Sequence, residues 1–349
     1  MFAARLACQR EHLNTSGPAG TQDTDLKYCY LAKAAYDAYD HGRCRYSVDR
    51  MLPALGLGDH GYVATAFLYA AVNIVPVEHQ QHWIGYVAVA DKAERDRVLG
   101  YQYREIVVVW RGTSALDELF KDLEVNLQPI HGEESNKLVL VENGIQSLYA
   151  TSCDSDACKN NHGSAKDHVL AELRRLVTYL RNKCPGDKIH VTATGHSLGG
   201  ALATLTAWDA AAHEALAGVV VRAVTFGAPR VGNQAFCDEL VGPRGVKVHR
   251  VIVDRDVVPS LPPTSFGYAD AGSDVRLLHS ERVVPVPFLT LLVSWHFHSL
   301  KEYLRILDSD YHERPVQVQV QDPPPVPADQ FLPLPEAELD HQLNLTLPS

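Results

Sequence analysis

Five apolar, largely β-branched runs punctuate the chain: Trp83–Ala90, Ile106–Trp110, Ile189–Thr194, Val219–Phe226 and Val248–Val253. Each has strand length and little polar alternation, the pattern of strands buried on both faces. Between them lie segments with helical spacing, among them His168–Asn182 and Gly200–Ala217. Strand–helix alternation with fully apolar strands predicts an α/β fold: a largely parallel sheet with helices on both faces. Ligands of such sheets bind beyond the carboxyl ends of strands, so chemistry is to be sought there. Two further apolar runs, Tyr62–Val77 and Val283–Trp295, are interrupted by prolines and fall short of the ~18 uninterrupted apolar residues of a membrane span. Both read as buried or pocket-lining. Val283–Val293 fits an acyl groove and plain core equally well.

The ends of the chain break the pattern. Residues 1–22 are polar and carry Gly17, Pro18 and Gly20, which predicts a loose tail. Residues 313–349 hold eight of the chain's 20 prolines, a density that predicts a disordered or extended tail. The expected organisation is therefore one domain over residues 23–312 between two tails.

Composition narrows the function. Hydrophobic residues make up 46% and charged residues 21% of the 349, which excludes wholesale disorder. Lys and Arg number 32 against 42 Asp and Glu, a net charge of −10. An anionic chain is poorly suited to nucleic acid, and it does not dock on anionic lipid by charge alone. Contact with lipid through apolar surface stays open. The N-terminal apolar run is too short for a signal peptide. The seven cysteines are odd in number and scattered, with only Cys153 and Cys158 spaced to close a small loop. These features together predict a cytoplasmic, mostly reduced protein.

One strand runs into Gly195-His-Ser197-Leu-Gly199-Gly200, after which a helical stretch begins. This is a Gly-x-Ser-x-Gly turn in the strand–turn–helix context that a serine nucleophile requires. Ser197 is the candidate nucleophile, and the backbone N–H of Leu198 is one candidate oxyanion donor. A base and an orienting acid should follow in the order acid, then histidine. Asp256 lies just past the strand Val248–Val253, with Asp254 as the alternative. His298 precedes a helical stretch that holds Leu300 and Leu304, with His296 as the alternative. A second oxyanion donor should come from an earlier strand end, and Thr113 follows Ile106–Trp110. Leu116, Leu119, Phe120 and Leu123 then fall at i, i+3, i+4 and i+7, one stripe of a short helix. That stripe suits a surface helix packed on the core or a lid over the pocket.

These motifs, with Tyr30-Leu-Ala-Lys-Ala-Ala-Tyr36-Asp, Val108-Val-Trp-Arg-Gly-Thr113, Phe226-Gly-Ala-Pro-Arg-Val-Gly-Asn233 and His298-Ser-Leu-Lys-Glu-Tyr303, stand in the order found in one family. The chain resembles the class 3 (fungal-type) lipases, and among them the plant-type phospholipases A1. The resemblance implies an α/β-hydrolase fold, a Ser197–Asp256–His298 triad, a hydroxyl donor at Thr113 and a lid after it. Two positions depart from the family pattern: Glu142-Asn-Gly-Ile145 stands where His-x-Gly-Phe is common, and Leu119 stands where a lid Trp is common.

The expected activity is hydrolysis of a glycerolipid ester through an acyl-enzyme, with no cofactor or metal. By the resemblance the substrate is a phospholipid or galactolipid cut at the sn-1 position. The expected partner is a lipid surface touched transiently. A soluble feruloyl-type esterase and a non-catalytic lipase-like scaffold are the competing readings.

Overall fold

The computed structural model describes residues 21–72, 80–91, 94–95, 102–112, 126–130, 138–152, 162–277, 297–311 and 333–343. Seven strands form the path of the central sheet: β1 (Tyr62–Val72), β2 (Gln80–Ala90), β3 (Gln102–Trp110), β4 (Lys188–His196), β5 (Val220–Phe226), β6 (Lys247–Val253) and β7 (Ser273–Leu277). Each lies beside its successor in the chain, and Glu94–Arg95 adds a short pairing on β3. The pairings from β3 to β7 are parallel, and those of β1 with β2 and β2 with β3 are antiparallel. The antiparallel pairs need no helical crossover, whereas β4 and β5 are bridged by one. The apolar segment beginning at Tyr62 is thus a strand, β1, at one end of this order.

Helices cover both faces. On one side lie α2 (Ala165–Lys183) and α3 (Leu198–Ala212), in a core that includes Trp110, Leu173, Leu202 and Trp208. Ser164 starts α2 with a full capping box, exchanging bonds with Asp167. The other side carries α1 (Thr21–Asp37) and α4 (Leu300–Leu307), whose core includes Tyr28, Leu31, Trp83, Phe226 and Tyr303. In this way α1 and α4, far apart in sequence, pack together against the same face, and each brings a polar side chain to the site described below.

Glu105 of β3 anchors α1. Its buried carboxylate accepts from the hydroxyls of Tyr28, Tyr62 and Thr192 and from the Lys27 ammonium at 3.0 Å. Burial alone would raise its pKa. Lys27, the Tyr28 and Tyr62 hydroxyls and Arg222 outweigh burial and hold it at about 2, below the ordinary 4.5. A carboxyl depressed in this way stabilises the fold above its unfolded pKa, and the contribution is lost as pH falls from about 4.5 to about 2. The shift corresponds to about 3 kcal/mol. Glu105→Gln is therefore expected to lower stability at pH 7 by a similar amount. Denaturant unfolding at pH 7, 5 and 3 checks this, because the variant should also lose less stability than the wild type below pH 4.5. Parallel pH profiles for the two proteins would contradict it.

Residues 333–343 depart from the disordered or extended tail expected over 313–349. Residues 333–343 include helix α5 (Glu336–Gln342), with Leu334, Leu339 and Leu343 buried in the core beside α2. The Leu334 N–H bonds to the Thr65 carbonyl of β1, and Asp340 accepts from Tyr179 and Lys183, each at 2.7 Å. Proline count is misleading here. Pro335 stands at the N-cap, just ahead of the helix, where its missing N–H removes no helical bond. Among the described residues no helix is long and apolar enough to cross a membrane.

Candidate active site

The turn after β4 is tight by necessity. Ser197 adopts φ 58°, a conformation that non-glycine residues rarely hold. A Cβ on Gly195 would lie 2.5 Å from the Gly199 backbone and 2.7 Å from the Trp110 carbonyl. A Cβ on Gly199 would overlap that same carbonyl. Bare backbone is thus what lets the turn pass β3. Leu198 opens α3, so its N–H has no intrahelical acceptor, and the positive end of the helix stands behind Ser197.

Two neighbouring strands bring up the other candidates. The Ser197 N–H bonds to the Phe226 carbonyl at the end of β5, and the Gly227 N–H bonds to the Val251 carbonyl of β6. Any Cβ on Gly227 would sit 2.8 Å from Asp256 Oδ2, 2.9 Å from the Tyr303 hydroxyl and 3.1 Å from His298 Nδ1. One glycine therefore makes room for three polar groups.

His298 Nδ1 lies 2.9 Å from Oδ2 and 3.1 Å from Oδ1 of Asp256, and both side chains are fully buried. Asp256 also accepts from the Val258 N–H at 3.0 Å and the Tyr303 hydroxyl at 2.6 Å. Burial and the adjacent Asp256 carboxylate push the Tyr303 phenol well above its ordinary pKa, so it remains a donor. Asp254 is different in kind. Half its side chain is exposed, and it lies 4.0 Å from the Arg255 guanidinium. Arg255 takes φ 75°, which turns the chain sharply between the two acids. Ser197 Oγ and His298 Nε2 are both buried and have no hydrogen-bond partner among the described residues. With Nδ1 facing the Asp256 carboxylate, Nε2 is the His298 ring nitrogen that remains as an acceptor.

Not every expected residue falls within view. Thr113, the stripe Leu116, Leu119, Phe120 and Leu123, the alternative base His296, the Val283–Val293 segment and the Cys153–Cys158 pair lie outside the described residues. Glu142, one of the departures from the family pattern, acts locally. Its buried carboxylate caps helix Asn143–Ala150 by accepting from the Ile145 N–H at 2.6 Å. Tyr303 is a site residue that sequence reasoning misses. Its signals are its place at the end of the His298–Tyr303 segment and a hydroxyl-bearing ring inside the apolar stripe of Leu300, Leu304 and Leu307.

Comparison with known proteins shows what the chain is similar to in sequence and fold. The pattern of the class 3 lipases matches residues 107–266. Phospholipase A1-Igamma1, chloroplastic, of Arabidopsis thaliana is 34% identical over 330 residues, covering 82% of this chain and 62% of the relative. The chain thus spans less than two thirds of that protein's length. Phospholipase A1-II 6 of Oryza sativa subsp. japonica is 36% identical over 289 residues, covering 73% of this chain and 68% of the relative. The crystal structure of a lipase from Rhizopus microsporus var. chinensis superposes with a TM-score of 0.50 at 22% identity, covering 77% of each chain. That likeness shows the shared α/β-hydrolase fold. The expected cytoplasmic location is corrected by these relatives: several that match over most of the chain are named chloroplastic, or chloroplastic and mitochondrial. On the strength of the rice relative and the shared pattern, the chain belongs to the class 3 lipase family.

Proposed function

We propose that this chain is a serine hydrolase of glycerolipid esters, and that it releases the sn-1 acyl chain of phospholipids. The observation that carries the reading is the pair of buried side chains at Asp256 and His298, 2.9 Å apart, beside a serine held on a strained turn. Burying an imidazole against a carboxylate is costly, and such pairs cluster at functional sites. The names of the Arabidopsis and rice relatives support the choice of phospholipid among ester substrates.

In this mechanism Ser197 Oγ attacks the acyl carbonyl carbon while His298 Nε2 takes its proton. Asp256 holds the imidazole with Nδ1–H toward the carboxylate and stabilises the imidazolium that forms. The Leu198 N–H and Thr113 stabilise the oxyanion. Collapse of the tetrahedral intermediate breaks the ester C–O bond, and His298 returns the proton to the departing lysolipid oxygen. Water then gives a proton to His298 and attacks the acyl-enzyme. The fatty acid leaves, and Ser197 recovers its proton.

The test is fatty-acid release from a panel of phospholipid and galactolipid vesicles, triacylglycerol emulsion and soluble feruloyl and short-chain esters, with positional analysis of the lysolipid. The expected result is sn-1 release from phospholipid, rising as the lipid aggregates. Faster turnover of soluble esters, with no rise at the aggregation threshold, would replace this reading with the soluble-esterase one. No turnover of any ester would favour a binding scaffold.

A further inference from the structure

His196 fills the first variable position of the Gly-x-Ser-x-Gly turn, and no step of acyl transfer uses it. Its side chain is nevertheless buried with both ring nitrogens engaged. Nε2 lies 2.6 Å from the backbone carbonyl oxygen of His298. A carbonyl only accepts, so Nε2 carries the proton. Nδ1 is then an acceptor, and the Tyr36 hydroxyl lies 2.9 Å from it. Burial, with His298 beside it, pushes the His196 imidazole well below its ordinary pKa, although the bond to the His298 carbonyl opposes this. The ring therefore stays neutral in the tautomer that the geometry requires.

Beyond Tyr36 the path continues by packing. Its hydroxyl lies against Gly112, at the end of β3. The fit there is close: a Cβ on Gly112 would overlap the Tyr36 hydroxyl and lie 2.6 Å from the His196 carbonyl oxygen. Arg111 secures the same turn, stacking on Tyr39 at 3.7 Å and donating to the Gly112 carbonyl at 2.9 Å. The His196 and His298 rings lie 4.7 Å apart, centroid to centroid. A continuous path thus runs from Gly112, packed on the Tyr36 hydroxyl, through the bonds of Tyr36 to His196 and of His196 to the His298 carbonyl. It joins the turn before Thr113, the nucleophile turn and the histidine loop, three segments far apart in sequence.

We propose that Tyr36 and His196 are positioning residues: His196 tethers the main chain of His298 to the Ser197 turn, and Tyr36 fixes the His196 tautomer and ties it to the oxyanion loop. The proposal rests on the acyl-hydrolase reading above. Its physical basis is that α4 begins at Leu300, so the His298 carbonyl lies outside the helical ladder and His196 supplies the bond that holds it. A catalytic group displaced by about 1 Å can lose about 10²-fold in rate.

The test compares His196→Phe, His196→Gln and Tyr36→Phe with the wild type for melting temperature, kcat and KM of ester hydrolysis, and the rate at which a fluorophosphonate labels Ser197. Phe keeps a ring and loses both bonds, whereas the Gln amide can place an N–H where Nε2–H stands. His196→Phe is expected to lose about 10²-fold in kcat and labelling rate with KM changed less than about twofold. His196→Gln should recover most of that loss. Tyr36→Phe should lose about tenfold, the equivalent of one hydrogen bond. Equal rates for His196→Phe and wild type, or a Gln variant as slow as Phe at the same melting temperature, would overturn the tether.

Nitrogen-15 NMR of the histidine rings in the wild type does not depend on how the variants fold. It should show His196 as the neutral Nε2–H tautomer from about pH 5 to pH 8. Protonation of His196 within that range would also overturn the tether. A wild type with that tautomer whose Ser197 fails to label would overturn the hydrolase reading instead, and with it the catalytic use of the tether.

Discussion

Ser197→Ala is expected to lower the rate of fatty-acid release by about 10⁵-fold or more, to whatever the oxyanion donors achieve alone. The size of the effect follows from what the hydroxyl does. In the proposed mechanism it forms the bond that defines the acyl-enzyme, and no other hydroxyl among the described residues shares its place on the turn. Binding should change little, because alanine leaves the turn backbone and the Leu198 N–H in position. The variant is therefore expected to keep its affinity for lipid vesicles while losing turnover. Fatty-acid release and vesicle co-sedimentation, measured on the same preparation, check both halves. A variant that retains more than about a hundredth of wild-type activity would move the nucleophile elsewhere.

Asp256→Asn is expected to cost about 10⁴-fold in kcat with little change in stability. The carboxylate faces Nδ1 of His298 with both oxygens and also accepts from the Tyr303 hydroxyl and the Val258 N–H. An amide has nearly the same shape but offers an N–H to one of these groups. If it faces His298, the imidazole must accept at Nδ1 and carry its proton at Nε2, where it cannot take the Ser197 proton. Tyr303→Phe makes a graded comparison. It removes one donor from a carboxylate that keeps the others, so about tenfold is expected. The partner experiment is Asp254→Asn, which should leave kcat within about twofold because that side chain is half exposed and faces the Arg255 guanidinium. If Asp254→Asn were the more damaging change, the assignment of the acid would be reversed.

Much of this architecture is legible in the order of residues alone. The buried strands announce themselves as unbroken β-branched runs, because a strand covered on both faces has no polar side to display. The Gly-x-Ser-x-Gly turn is equally plain, since the glycines at 195 and 199 are required by the backbone passing at Trp110. What the pattern does not reveal is the direction of β1 and β2. Apolar periodicity carries no information on whether neighbours run parallel or antiparallel. The docked segment at 333–343 is hidden for another reason: composition averaged over residues 313–349 lets the prolines outweigh three well-spaced leucines.

Within the site, legibility falls with sequence separation. Asp256 and His298 are chosen by their place in the chain, with Asp254 and His296 as alternatives, because position narrows a candidate to a loop and not to a residue. The burial that separates Asp256 from Asp254 depends on the φ 75° turn at Arg255, a conformation that arginine does not announce. Tyr303, His196 and Tyr36 find their partners 47, 102 and 160 residues away. Nothing local marks such a bond. Location is misread for a different reason: a short apolar run at the start of the sequence is weak ground, and the chloroplastic relatives point elsewhere.

The central claim is that Ser197 is a nucleophile activated by the Asp256–His298 pair. The most direct measurement is mass spectrometry of the folded protein after brief exposure to a serine-directed fluorophosphonate, with peptide mapping of the adduct. The account predicts one adduct per chain, on Ser197, formed quickly in the wild type and at least about a hundredfold more slowly in His298→Ala. An unlabelled Ser197, or labelling that proceeds at the same rate without His298, would contradict it.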